Sequence, residues 1–181
     1  AILAGVGGFR PFLEIHAHKF YMAEFNEEGR NECYRCCAEL YAVHPEARGM
    51  IAGSWFYDPA ITAISPRLAY LREVPQQGGA HLLFDSFDEG AARNAVATSA
   101  TRKQLFDAGQ YKPAAYMLVW PRARQLAWAR RNPGPAPTAR ASRPPFMVID
   151  AFVPSWSSGM TAVPGSRRSQ RARSAYGWDS R

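Results

Sequence analysis

The sequence predicts an α/β domain built on one mixed sheet with helices flanking it. Three observations carry this. Segments of strand period and helix period alternate along the first 131 residues, and the apolar strands are short and bounded by Pro, Gly and Asp. The connections are of hairpin length in the middle and helical on either side, which mixes parallel with antiparallel pairing.

Residues 12–18, FLEIHAH, put Phe12, Glu14, His16 and His18 on one face and Leu13, Ile15 and Ala17 on the other, the period of a strand. From Asn26 the period becomes 3.6: Tyr34, Cys37, Tyr41 and His44 form a stripe, with Cys33 and Leu40 beside it. Asn26 is the cap, Glu27 and Glu28 lie at the positive end of the helix dipole, and Pro45 closes the helix near residue 44. GMIAGSWFY then reads as a buried strand that ends at Asp58-Pro59.

Asp58-Pro59 and Ser65-Pro66 are each a cap residue followed by a proline whose missing N–H costs nothing at a helix start. Only eight residues separate Pro66 from Pro75, so RLAYLREV is expected as a strand, with QQGG turning the chain into a further strand, AHLLFDSF. A helix over residues 88–108 follows, broken near TSAT and ended by Gly109 in a left-handed cap. AAYMLVW is a strand stopped by Pro121, and RARQLAWARR is a short terminal helix.

After Arg131 the composition shifts to Pro, Ser, Ala and Arg. The expected organisation is a globular domain over residues 9–131 and a tail over 132–181, disordered apart from an edge strand at FMVIDAFV. The opening AILAGVGG lacks the basic flank and cleavage pattern of a secretory signal and reads as a frayed start or a fragment edge.

The formal net charge is +7, but residues 1–131 carry 15 basic and 13 acidic side chains, against 7 and 2 in the tail. The domain is therefore nearly balanced. No specific nucleic-acid partner is expected, only nonspecific phosphate affinity from the tail. No run of about 18 apolar residues occurs, so no membrane-spanning helix is expected. Three cysteines within five positions, Cys33 to Cys37, cannot frame a disulfide-built domain, and a reducing, cytoplasmic setting fits them. Cys33 and Cys37 fall on the apolar stripe, where a thiol packs as a small hydrophobe.

Three groups of residues can carry chemistry. Glu14, His16 and His18 project from one strand face, a pattern that supplies a general base or, with two imidazoles and a carboxylate, metal ligands; the base reading is adopted, with no metal. Trp55 and Tyr57 share a strand face at the C-terminal strand end where open sheets hold ligands, with Asp58, Ser65 and Arg67 at the rim. Thr98, Ser99, Thr101, Arg102 and Lys103 gather hydroxyls and cations where a helix restarts, the make-up of an anion site, in which Ser99, Thr101 and Arg102 are the candidate ligands. The partner these residues imply is a small-molecule ligand.

The blocks AEFNEEG, SWFYDP, SPRLAYLREVP, ATSATRKQL and YMLVWPR, in this order, resemble a family of uncharacterised bacterial proteins over roughly residues 12–130. That resemblance implies no activity. The expected element order is also similar to the acyl-CoA N-acyltransferase (GNAT) core: strand, helix, three meandering strands, helix, strand, helix. It implies acyl transfer to a small amine-bearing metabolite with acyl-CoA as donor, His16 or Glu14 as base, Trp55 and Tyr57 along the acceptor pocket, and Arg67 or Arg102 on an anionic group. The sequence departs from that family where a Gly-rich loop holds the cofactor diphosphate, since FDSFDEGAARN brings Asp85, Asp88 and Glu89 there. The alternative expectation is a noncatalytic ligand-binding or protein-interaction module that uses the aromatic stretch 53–75.

Overall fold

A computed structural model describes residues 11–17, 25–134 and 147–152. The elements run β1 (Phe12–Ala17), α1 (Glu27–Leu40), β2 (Gly49–Ser54), a 3-10 turn (Trp55–Tyr57), α2 (Pro59–Ile64), a second 3-10 turn (Pro66–Leu68) and α3 (Tyr70–Gln77). They continue through β3 (His81–Ser86), α4 (Glu89–Ala97), α5 (Ala100–Asp107), β4 (Ala115–Pro121), α6 (Arg122–Arg131) and β5 (Met147–Phe152). The five strands form one mixed sheet in the order β3-β4-β2-β1-β5. Only β1 and β2 pair in parallel; β2–β4, β3–β4 and β1–β5 are antiparallel.

Several expected boundaries arise from the local chemistry that predicts them. Asn26 caps α1 by accepting from the Gly29 N–H, and Asp58 caps α2 by accepting from the Ala60 N–H with Pro59 at the first helical position. The helix over 88–108 is broken at Thr98 and Ser99, because Ser99 turns outward to cap α5 at the Arg102 N–H. Gly109 adopts φ +68°, the left-handed conformation that a side chain resists.

One strand is replaced by a helix. RLAYLREV forms a 3-10 turn and then α3, so β2 is not followed by a three-strand meander. The apolar residues of this stretch do not alternate: Leu68, Leu71, Val74 and Pro75 recur at helical spacing and pack on the core, Leu71 and Pro75 fully buried. Pro75 is tolerated inside the last turns because it removes a single backbone donor, while Gly78 and Ala80 close the helix by donating to the Val74 and Pro75 carbonyls.

The main core lies on one face of the sheet. Leu13, Ile15, Met50, Ala52, Leu118 and Trp120 meet Cys33, Tyr34, Cys37 and Tyr41 from the α1 stripe, with Leu71 of α3 and Trp128 of α6. Tyr34, Trp120 and Trp128 pack edge to face with centroids 5.1–5.9 Å apart. Cys33 and Cys37 are buried free thiols in this core, and the hydrogen bond to Cys33 together with burial pushes the Cys37 thiol well above its ordinary pKa. The opposite face carries a smaller cluster of Phe12, Ile51 and Val119 with Leu83 and Met117. No helix among the described residues is long and apolar enough to cross a membrane. The expected disorder of the tail, the frayed start and the position of His18 lie outside the described residues.

Candidate functional site

Strand β2 stops at Ser54, whose Oγ accepts from the Phe56 N–H at 3.5 Å and turns the chain into one 3-10 turn. Trp55 and Tyr57 therefore do not share a sheet face. The side chain of Tyr57 goes into the core at 0 % exposure, where its hydroxyl accepts from Arg30 Nη2, and Arg30 Nε donates to Tyr34 Oη at 2.9 Å. Burial raises the pKa of both phenols, with the Arg30 charge opposing it. Phe56 packs edge to face on Trp55, Tyr57 and Phe25. The turn is thus a rigid aromatic knot whose Trp55 and Phe56 rings are partly open.

A second buried arginine holds the other side of the knot. Arg102 is 1 % exposed and lies with its guanidinium carbon 4.8 Å from the Trp55 ring centre. Its Nη1 donates to Ser65 Oγ at 2.8 Å, its Nη2 to Thr98 Oγ1 at 3.2 Å and its Nε to the Ala95 carbonyl. One guanidinium therefore fastens the end of α2 to the break between α4 and α5. Neither Arg102 nor the exposed Arg67 makes an ion pair among the described residues, and their proximity leaves this rim positive. Burial, with a smaller push from Arg67, draws the Arg102 pKa down, and the Tyr111 phenol acts the other way.

Asp58 spans two elements. Its Oδ1 caps α2 at 2.9 Å from the Ala60 N–H, and its Oδ2 accepts from the Ala114 N–H at 3.1 Å at the entry to β4. Tyr111 is buried beside Asp58 and Arg102, and its hydroxyl has no hydrogen-bond partner among the described residues. Burial first, then the Asp58 charge, raises its pKa.

Beyond this knot the parallel pair opens. Strands β1 and β2 are six residues each, yet they pair only at Leu13↔Met50 and Glu14↔Ile51, while both continue along their outer neighbours. Gly53 is exposed although β2 is the middle strand of five, and a methyl group built on it would touch only the Met117 terminal carbon, at 3.6 Å. By strand alternation Glu14 and His16 lie on the same face as Ile51 and Gly53, away from α1, α3 and α6. His16 Nε2 is 3.6 Å from Glu14 Oε1, and both side chains are partly buried.

The candidate residues that are remote in sequence thus fall into two neighbouring groups at one end of the sheet. Trp55, Ser65, Arg67, Ser99 and Arg102 gather round the aromatic knot; Glu14 and His16 stand at the opening beside it. Tyr57 and Asp58 are turned inward, and Thr101 is an exposed side chain in the first turn of α5. Sequence reading passes over Arg30, Tyr111 and Gly53. Arg30 carries a visible signal, a cation one helical turn before Tyr34 on an apolar stripe, whereas the exposure of Gly53 follows from pairing and has no local signature. Among the described residues no three His, Cys, Asp or Glu side chains gather as metal ligands. The chain matches no known family, no curated protein and no solved structure.

Proposed function

We propose that this chain transfers an acyl or closely related group to a small amine-bearing metabolite in the bacterial cytoplasm, at the opening between β1 and β2. The observation that carries the reading is the early end of the parallel ladder beside an exposed Gly53. Where two strands part, backbone N–H and C=O groups face a gap, and an extended acyl donor with amide groups along its arm pairs with such edges as a strand would. The opening also lies at the C-terminal end of the parallel pair, where open sheets bind ligands.

Glu14 and His16 supply the proton chemistry. The His16 imidazole takes a proton from the acceptor ammonium, and the Glu14 carboxylate at 3.6 Å stabilises the resulting imidazolium. The freed amine attacks the carbonyl carbon of a thioester, and the C–N bond forms as the C–S bond breaks. The departing thiolate takes the first proton from His16, and the imidazole so freed takes the second proton from the new amide nitrogen and passes it to water. Trp55 follows directly on the end of β2, and with the exposed Arg67 it is assigned to hold an anionic part of the acceptor.

Coenzyme A fits this site only in part. The segment that the expected acyltransferase order assigns to the diphosphate, the N-terminus of α4, follows edge strand β3 and not the opening, and it is occupied by Asp88 accepting from the Ala91 N–H at 2.8 Å, with Glu89 in the first turn. A diphosphate is repelled there, so the reading concerns the acyl arm and assigns no diphosphate contact.

The test is a thermal-shift and turnover series on the full chain with acyl-CoAs and shorter acyl-pantetheine thioesters, with amines as acceptors. Stabilisation by a thioester that disappears in Gly53→Val, and turnover that disappears in His16→Ala with the fold kept, is the expected result. Silence from every thioester sinks the reading. A noncatalytic module on the aromatic knot is favoured instead by the double clamp on Trp55; it predicts ligand affinity lost in Trp55→Ala, with no turnover in any variant.

A further inference from the structure

Strand β3 forms one edge of the sheet, and among the described residues no strand pairs with its outward side. Between His81 and Ser86 it has no Pro, Lys or Arg, the residues that commonly blunt an exposed edge. Phe84 is 54 % exposed and stacks edge to face on Phe87, itself 57 % exposed, and on Tyr116. Lys112 sits 4.1 Å from the Phe87 ring centre and covers only one side of this aromatic group. A strand edge and an aromatic patch therefore coincide in one place.

The sequence of the edge is complementary to itself. If two copies of His81-Leu82-Leu83-Phe84-Asp85 run antiparallel about a two-fold axis at Leu83, Leu83 meets Leu83, Leu82 meets Phe84 and His81 meets Asp85, twice. Directly opposed residues of an antiparallel pair share a face, so the exposed Phe84 ring is covered by Leu82 of the second copy. On the other face, the imidazole donates to the opposed carboxylate at both ends of the Leu83 pair. The irregularity of the β3–β4 ladder between Phe84 and Ser86 makes Asp85 the bulged residue at each end of this match, whereas Leu82, Leu83 and Phe84 keep regular pairing with β4.

We propose that β3 is a self-association edge through which two copies of this chain join their sheets in an isologous, two-fold dimer. The occupant is a second copy because the charge and size pattern of the edge matches its own reverse, with acid against imidazole and large apolar against smaller. This inference stands apart from the proposed acyl transfer, since the opening between β1 and β2 lies on the other side of β4.

The test is sedimentation velocity on the full chain from low to high micromolar concentration, with circular dichroism as the check on folding. The wild-type chain is expected to dimerise, and Phe84→Glu to abolish the dimer. His81→Glu sets acid against acid, and Asp85→Lys sets cation against imidazole; each is expected to weaken self-association about tenfold. An equimolar mixture of these two variants is expected to recover a heterodimer, because the carboxylate introduced at position 81 of one chain then faces the ammonium introduced at position 85 of the other. A chain that stays monomeric throughout, a dimer indifferent to these substitutions, or a mixture that stays monomeric overturns the proposal.

Discussion

The guanidinium of Arg102 donates to Ser65 Oγ at 2.8 Å from a residue 37 positions away, and the same group lies over the Trp55 ring. A charged side chain thus joins three polypeptide segments. Ser65 does not cap the 3-10 turn with its side chain, because its hydroxyl is committed to Arg102.

Replacing this arginine by lysine keeps the charge and loses the fork. Arg102→Lys is expected to cost about 2 kcal/mol, because at least two of the Ser65, Thr98 and Ala95 acceptors lose their donor in a buried place. Urea unfolding measures it. A loss near zero would show that the guanidinium bonds contribute little and that packing over Trp55 suffices.

Two glycines of β2 should respond in opposite ways to the same added methyl. A Cβ on Gly49 runs into the Trp120 backbone carbonyl, which cannot move without breaking the β2–β4 ladder, so Gly49→Ala is expected to destabilise by several kcal/mol. At Gly53 the methyl meets only the flexible Met117 terminus, so Gly53→Ala should leave stability unchanged or raise it by about 0.5 kcal/mol. Melting temperatures of the pair decide it; equal losses would mean that β2 does not open at Gly53.

Asp58 ties α2 to the start of β4 with two oxygens. Asp58→Asn retains one acceptor and is expected to cost about 1–2 kcal/mol, whereas Asp58→Ala exposes both the Ala60 and Ala114 donors and costs more. Hydrogen exchange at those two amides distinguishes a cap from a bystander, since both should accelerate in the alanine variant. Protection unchanged at Ala114 would refute the second tie.

Alkaline pH should unfold the domain cooperatively. Burial raises the folded-state pKa of Tyr34, Tyr41 and Tyr57 above the usual phenol range, so the unfolded chain releases these protons near pH 10 while the folded chain keeps them. Their stabilising contribution is whole below about pH 10 and falls beyond it, by up to about 1.4 kcal/mol per pH unit for each phenol. Urea midpoints followed from neutral to strongly alkaline pH, with phenolate absorbance, test this. Ionisation of these tyrosines before unfolding would show that their surroundings admit water.

The sequence by itself determined what depends on neighbours along the chain. The Asn26, Asp58 and Ser99 caps and the break at Thr98 follow from side chains meeting backbone groups within three residues, and the left-handed Gly109 from its missing Cβ. The stripe from Cys33 to Tyr41 likewise places a helix on a core. Tertiary structure decided where strands end and what the aromatics face. RLAYLREV became helical because Leu68, Leu71, Val74 and Pro75 find the core only at that period, and Tyr57 turned inward because Arg30 waits there for its hydroxyl. The opening beside Gly53 and the meeting of Ser65 with Arg102 depend on pairing and contact between distant segments, whose free energy no local stretch contains.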